Sequence, residues 1–278
     1  MNDKTVLITG TSSGFGMETA LLLAEDGYTV IATMRKKVNG TRLRQRARKA
    51  GIEKRITVME LDVNVHEQIE KVRNEVLERF GAPDVLINNA GYSLGGITET
   101  LTCNDWEQQI GTNVLGVACV TGAFLPSMQK KGGGKIINLG SISGRFGFPA
   151  LGPYVTSKHA LSGYSESLRL ELLSQNIYVS LIEAGSYKTA IWEKGMKQAK
   201  MDVPEDYEPV LKSMYSLAEH SSKTAADPGD VAKLIGKICR TEKPRFRYQT
   251  GKGVRTLIAL KALLPWPVIE WFIKRKMK

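Results

Sequence analysis

Tyr154 stands four residues ahead of Lys158 in "GPYVTSKHALSGYSESLRLEL" (152–172), so the phenol and the ammonium share one face if that run is helical. A phenol of pKa ~10 holds its proton too tightly to act as a base near neutrality. A neighbouring ammonium favours the ionised form, which makes the pair a candidate for proton exchange. Spacing alone decides nothing, because Tyr248 and Lys252 in "YQTGK" stand in the same relation without helical context. Tyr154 differs in its company. Ser141, in "GSISG", ends an apolar run thirteen residues earlier, "NNAG" (88–91) closes another, and Asn113 lies in the helical "GTNVLG". A serine hydroxyl beside the phenol could donate a hydrogen bond where negative charge gathers on an oxygen. Such a set suits the interconversion of a carbonyl and an alcohol, which needs a proton at oxygen and a hydride at carbon. The competing reading makes Tyr154 a helix-surface residue and Ser141 a strand-end cap.

A hydride donor has its own signature. "TGTSSGFG" places Thr9, Gly10, Gly14 and Gly16 directly after the apolar run "KTVLIT" and at the start of a helical pattern. Glycines let the backbone approach a pyrophosphate, and the helix N-terminus offers it unpaired N–H groups and the positive end of a dipole. The strand–turn–helix setting is what makes this turn a dinucleotide site. At the end of the second apolar run an acidic residue would bind a ribose diol, whereas a cation would accept a 2′-phosphate. The sequence there is "ATMRKK", with no carboxylate and with Arg35 first, so NADP(H) is expected in preference to NAD(H), which stays open.

The elements that must hold these residues alternate. Apolar runs at 4–9, 28–33, 55–63, 84–91, 132–141 and 177–185 are separated by helical patterns at 15–27, 40–51, 65–80, 104–131 and 154–175. A helix over 228–239 and a short strand near "RFRYQTG" follow. Strands alternating with helices imply parallel βαβ units with right-handed crossovers. The expected fold class is α/β: a doubly wound parallel sheet of about seven strands with helices on both faces. The chain, 1–278, reads as one such domain, with an inserted substrate-binding flap at 186–226 and a basic amphipathic tail at 252–278.

With these motifs in order, residues 3 to 250 resemble the short-chain dehydrogenase/reductase family, the branch with TGxxxGxG, NNAG and YxxxK. The resemblance implies a Rossmann sheet binding NAD(P)H, with Tyr154 as general acid/base and Ser141 orienting the substrate oxygen. It also implies that Lys158 tunes Tyr154 and holds the nicotinamide ribose, while Asn113 supports a proton relay. Gly10, Ser12, Ser13, Gly14, Phe15 and Gly16 would form the cofactor turn, with Arg35 at its phosphate. Asp62 and Val63 would meet the adenine, Asn89, Ala90 and Gly91 would line the cofactor side of the cleft, and Gly185 and Thr189 would hold the carboxamide end. Two positions depart from the pattern. Ala184 replaces a proline in "AGSYKT", so a looser turn is expected there, and Ser13 replaces the basic residue often found in NADP-preferring relatives.

Composition bounds the rest. With 42% hydrophobic and 24% charged residues the chain is globular rather than disordered. Three dispersed cysteines suggest neither a disulfide framework nor a metal site, and they are expected as reduced, buried thiols. The N-terminus lacks the basic and long apolar regions of a secretory signal, which points to the cytoplasm. The net charge of +11 is uneven: residues 35–55 hold ten Lys or Arg against Glu53 alone, and residues 243–278 hold ten against Glu270 alone. Without interleaved aromatics for base stacking, nucleic acid is not an expected partner. The tail is broken by Pro265, Pro267 and charges, so it does not span a bilayer; it could lie on an anionic membrane, cover the substrate site or pack in a homodimer or homotetramer. Ile191, Trp192, Met196, Met201, Val203, Tyr207, Met214 and Tyr215 in the flap, with "GRFGFPALG" beside Ser141, suggest a lipophilic small-molecule substrate. An acyl-carrier-protein thioester recruited by the basic patches, or a non-enzymatic dinucleotide-sensing module, are the alternatives.

Overall fold

Six apolar runs and the short polar strand after them pair into one parallel sheet in this computed structural model, which describes residues 4–189 and 203–276. The strands are β1 Thr5–Ile8, β2 Thr29–Met34, β3 Ile56–Glu60, β4 Val85–Asn88, β5 Gly134–Leu139, β6 Ile177–Ala184 and β7 Arg247–Thr250. Their spatial order is β3-β2-β1-β4-β5-β6-β7. Parallel neighbours cannot be joined by tight turns, so helices cross over between them. These are α1 Gly14–Glu25, α2 Thr41–Lys49, α3 His66–Phe80, α4 Cys103–Ile110, α5 Gly116–Lys131, α6 Gly152–Glu171, α7 Glu208–Thr224 and α8 Pro228–Arg240, with α9 Val254–Leu263 and α10 Trp266–Lys276 after the last strand.

Alternation along each strand sends side chains to both faces, and both are covered. Val6, Ile8, Val30 and Ile87 pack with Met17, Leu23, Ile235 and Ile238 of α1 and α8, while Leu7, Ile31, Leu86 and Val179 pack with Val72, Val76, Phe124 and Leu168 of α3, α5 and α6. Strands buried on two sides have to be apolar throughout, which is why the runs were legible. By length and composition Cys103–Lys131 could cross a membrane. Its Val120, Phe124 and Met128 lie against the sheet instead, as those of a core helix do.

Four local expectations are corrected. β4 stops at Asn88, so Asn89 to Gly91 form a loop, and Leu61 to Val63 lie beyond β3. The 104–131 helix is broken by a wide turn of π geometry at Gly111–Leu115, which displaces Asn113 from a regular helical position. Cys103 and Cys119 are exposed and only Cys239 is buried, because the first two sit on the outer sides of α4 and α5. Of the apolar flap residues, Ile191, Trp192, Met196 and Met201 fall outside the described residues, as does the side chain of Met214.

Candidate active site

The strand order reverses between β1 and β4, and a crevice opens at the carboxyl ends of these strands, as it must where neighbouring crossovers diverge. It is a cleft of about 500 Å³, lined along one side by Gly10, Ser12, Ser13, Gly14, Phe15 and Arg35, and further on by Asp62, Val63, Asn89, Ala90 and Gly91. Tyr154, Lys158 and Thr189 close its inner end. There it meets a smaller cavity lined by Ser93, Ser141, Tyr154, Gly185 and Tyr187, so Tyr154 borders both.

The turn after β1 is shaped to admit a backbone-hugging ligand. Gly10 has φ +72°, and a Cβ there would lie 2.7 Å from the Ala90 Cα. A Cβ on Gly16 would lie 2.5 Å from both the Asn89 Nδ2 and the Gly10 carbonyl. Thr9 organises the facing loop: its Oγ1 accepts from the backbone N–H of Asn89 and of Ala90, both at 3.0 Å, and Asn89 Nδ2 donates back to the carbonyls of Thr9 (2.8 Å) and Gly10 (2.9 Å). Two strand ends are thereby clamped around the start of α1. This cradle fits a dinucleotide, whose pyrophosphate would meet the α1 N-terminus.

At the reactive end Ser141 caps the turn Ile142–Gly144, its Oγ accepting from Ser143 N at 3.1 Å, and also hydrogen-bonds the Tyr154 phenol. It is therefore both the strand-end cap and the partner of Tyr154. Lys158 Nζ donates to the Leu139 carbonyl at 2.8 Å and lies 5.8 Å from the centre of the Tyr154 ring. Asn113 is buried beneath them, bonded through Oδ1 and Nδ2 to the backbone of Tyr92 (3.1 and 3.0 Å) and through Nδ2 to Ser157 Oγ (3.0 Å). Its side chain joins the loop after "NNAG" to α6 and makes its bonds there, one step from Lys158. Tyr248, by contrast, lies in β7 with its hydroxyl accepting from Arg245 N, and neither it nor Lys252 lines the cleft or the smaller cavity.

A family model described as short chain dehydrogenase matches residues 4–200. YusZ of Bacillus subtilis, an uncharacterised oxidoreductase, is 41% identical over the whole of this chain and 99% of its own length. The 3-ketodihydrosphingosine reductase of Bacteroides thetaiotaomicron is 33% identical, covering 99% of this chain and 98% of that one.

The chain is a short-chain dehydrogenase/reductase.

A solved member of this family from Burkholderia phymatum, in complex with NAD, superposes with a TM-score of 0.82 at 26% identity over 94% of this chain and 93% of that one. As a member, this chain is an NAD(P)-dependent oxidoreductase acting on CH–OH and C=O groups.

The electrostatics of its reactive residues are set by burial. Desolvation pushes the Lys158 ammonium down to about 8. The same cause raises the Tyr154 phenol, opposed by the bond from Ser141, so without further charge nearby the phenol stays protonated. The sequence suggested a lowering by Lys158; in the fold the leading influence on the phenol is loss of water on burial, which raises it.

The turn containing Ala184 is not loose. Gly185 N donates to the Thr250 carbonyl at 2.9 Å, Lys188 N to that of Ala226 at 2.9 Å, and Tyr187 stacks edge-on against Phe15 at 5.3 Å with its hydroxyl 2.7 Å from Thr250 Oγ1. Side-chain and bridge contacts replace the rigidity of a proline. Sequence reasoning passed over Tyr187 and Ser93. Tyr187 sits inside the very motif read for its Gly and Thr, whereas Ser93 carries no local signal and reaches the cavity only because β4 and β5 end side by side.

Proposed function

We propose that this dehydrogenase uses NADP(H) to interconvert a lipophilic ketone or aldehyde and the corresponding alcohol. The observation that carries the reading is the position of Tyr154, whose hydroxyl, paired with Ser141, borders the dinucleotide cleft and the inner cavity together. When bound, the nicotinamide supplies or takes the hydride. Tyr154 then gives its proton to the developing alkoxide, or removes it in the reverse direction. Ser141 fixes that oxygen, and Lys158 holds a positive charge below the phenol and a donor toward a ribose. Asn113, through Tyr92 and Ser157, keeps α6 and the loop after β4 in register and supports the proton path.

Arg35 supports the choice of phosphorylated cofactor: it is exposed, lines the cleft at the end of β2, and no carboxylate from that strand faces it. Glu60, the nearby acid on β3, accepts from Lys37 N at 3.2 Å. The inner cavity's Phe15, Ala184 and Tyr187 favour an apolar substrate, and the relative that reduces a ketosphinganine is similar over its full length. Phe146 and Phe148 stand outside that cavity. The test is a panel of long-chain ketones, steroids, retinoids and acyl-carrier-protein thioesters followed at the nicotinamide absorbance with each cofactor. Turnover confined to carrier-linked thioesters would replace this reading with the carrier-dependent one, and no turnover on any carbonyl would sink both. We also propose a homodimer or homotetramer, on the ground that Leu170 in the last turn of α6 and Leu173 just beyond it are 63% and 65% exposed; a monomeric mass in sedimentation equilibrium would refute it.

A further inference from the structure

We infer that α9 and α10 form a docking face for an anionic lipid surface, beside the substrate end of the cleft. α9 is tied to the body through Val254 and Lys261. Val254 is buried against Gly185 and Gly251, and Lys261 donates to the Arg145 carbonyl while its ammonium lies 5.0 Å from the centre of the Phe146 ring. Gly185 lines the inner cavity and Arg145 follows the Ser141 turn, so this contact fixes the helix next to where a substrate would enter.

The other side of both helices is apolar and bare. Leu257, Leu260 and Leu263, spaced i, i+3, i+6, are between 44% and 79% exposed. On α10, Val268, Trp271, Phe272 and Arg275 recur at i, i+3, i+4, i+7; Trp271 and Phe272 are each 53% exposed and meet edge-on at 4.9 Å. Arg275 lies over the Trp271 ring at 5.4 Å. Large aromatic and leucine side chains on one face, with cations at its margin, are what an in-plane interfacial helix presents to headgroups and acyl chains.

Charge selects the occupant. Residues 252–278 hold seven Lys or Arg against Glu270 alone, and Glu270 accepts from Trp266 Nε1 at 2.7 Å. A second copy across a two-fold axis would set the same cations against each other. An anionic leaflet neutralises them while covering the leucines and aromatics.

Vesicle sedimentation of the full chain tests this without any turnover, so its result is independent of which substrate is reduced. Binding is expected to mixed phosphatidylcholine/phosphatidylglycerol vesicles, weaker to phosphatidylcholine alone, and reduced by salt. At about fivefold per cation, K274Q/R275Q should lower partitioning by roughly 25-fold. W271E/F272E should abolish it while dinucleotide binding is retained. Should the aromatic variant fail to fold, the charge variant, which keeps both aromatic side chains and gives up the stacking of Arg275 on the half-exposed Trp271 ring, decides the matter. No sedimentation with anionic vesicles, equal binding by wild type and K274Q/R275Q, or a lipid-free mass that falls in either variant, marking a second copy as the occupant, would overturn the inference.

Discussion

At the scale of single residues the site combines two groups that burial moves against their charged forms. Tyr154 is raised by desolvation and so carries the proton that carbonyl reduction consumes. Tyr154→Phe keeps the ring and removes that proton. Its turnover is expected to fall by about 10²–10⁴ while fluorescence titration gives an unchanged cofactor affinity; activity above a tenth of the parent would count against the role. Lys158 titrates at about 8 in the folded chain against 10.5 for a free lysine. Between those values the unfolded chain binds the extra proton, so stability must rise with pH through this window. Below about pH 8 the buried ammonium carries its full cost, ~3 kcal/mol at 1.36 kcal/mol per unit. Relative to Lys158→Met, the wild type should therefore gain stability from pH 8 toward 10.5, while kcat/KM for reduction declines over the same range. Parallel urea-unfolding series at both ends, with no relative change, would show that the ammonium is not buried at a cost.

At the scale of elements, the turn carrying Ser141 is held from behind. Glu183 on β6 is 1% exposed and accepts from Arg145 Nε at 2.7 Å and Arg247 Nη1 at 2.8 Å; Arg247 also reaches Glu166 of α6 at 2.6 Å. This cluster ties β6, β7 and α6 to the residue that follows the Ile142–Gly144 turn. Glu183→Gln leaves two guanidinium groups facing a neutral amide. The partial solvent access of both arginines sets the loss at about 3 kcal/mol, the low end for a buried pair broken on one side. Urea unfolding should show a lower midpoint at unchanged slope, and a fully stable variant would remove the cluster from the list of supports. None of this was legible in the sequence, since Glu183 reads there as an odd polar residue in an apolar strand whose partners lie 38 and 64 positions away. What the sequence did carry was local or periodic. β1, β2 and β4 show as continuous apolar runs, Gly10 and Gly16 as a turn no Cβ could enter, and Tyr154 as a phenol in helical phase with an amine. The π turn at Asn113, the clamp from Thr9 to Asn89 and the position of Ser93 arise only when distant strand ends meet.

At the scale of the whole molecule, the cleft is bounded by both halves of the sheet: Gly10 and Arg35 belong to the β1–β2 side, while Tyr154 and Lys158 reach it from α6 beyond β5. A dinucleotide lying there touches both halves, so its binding is read out as global stability. Ligand at about a hundred times Kd adds ~2.7 kcal/mol. For a chain of this size, with roughly 2–4 °C per kcal/mol, that raises the melting temperature by about 5–10 °C. NADPH is expected to give the larger shift and NADH, at equal concentration, a clearly smaller one, because Arg35 has a 2′-phosphate to pair with only in the first. Arg35→Asp should invert the order, since a carboxylate repels the phosphate and accepts from the ribose diol. An Arg35→Asp protein with the parent's cofactor preference would place the phosphate contact elsewhere, and equal shifts from both cofactors in the parent would withdraw the preference altogether.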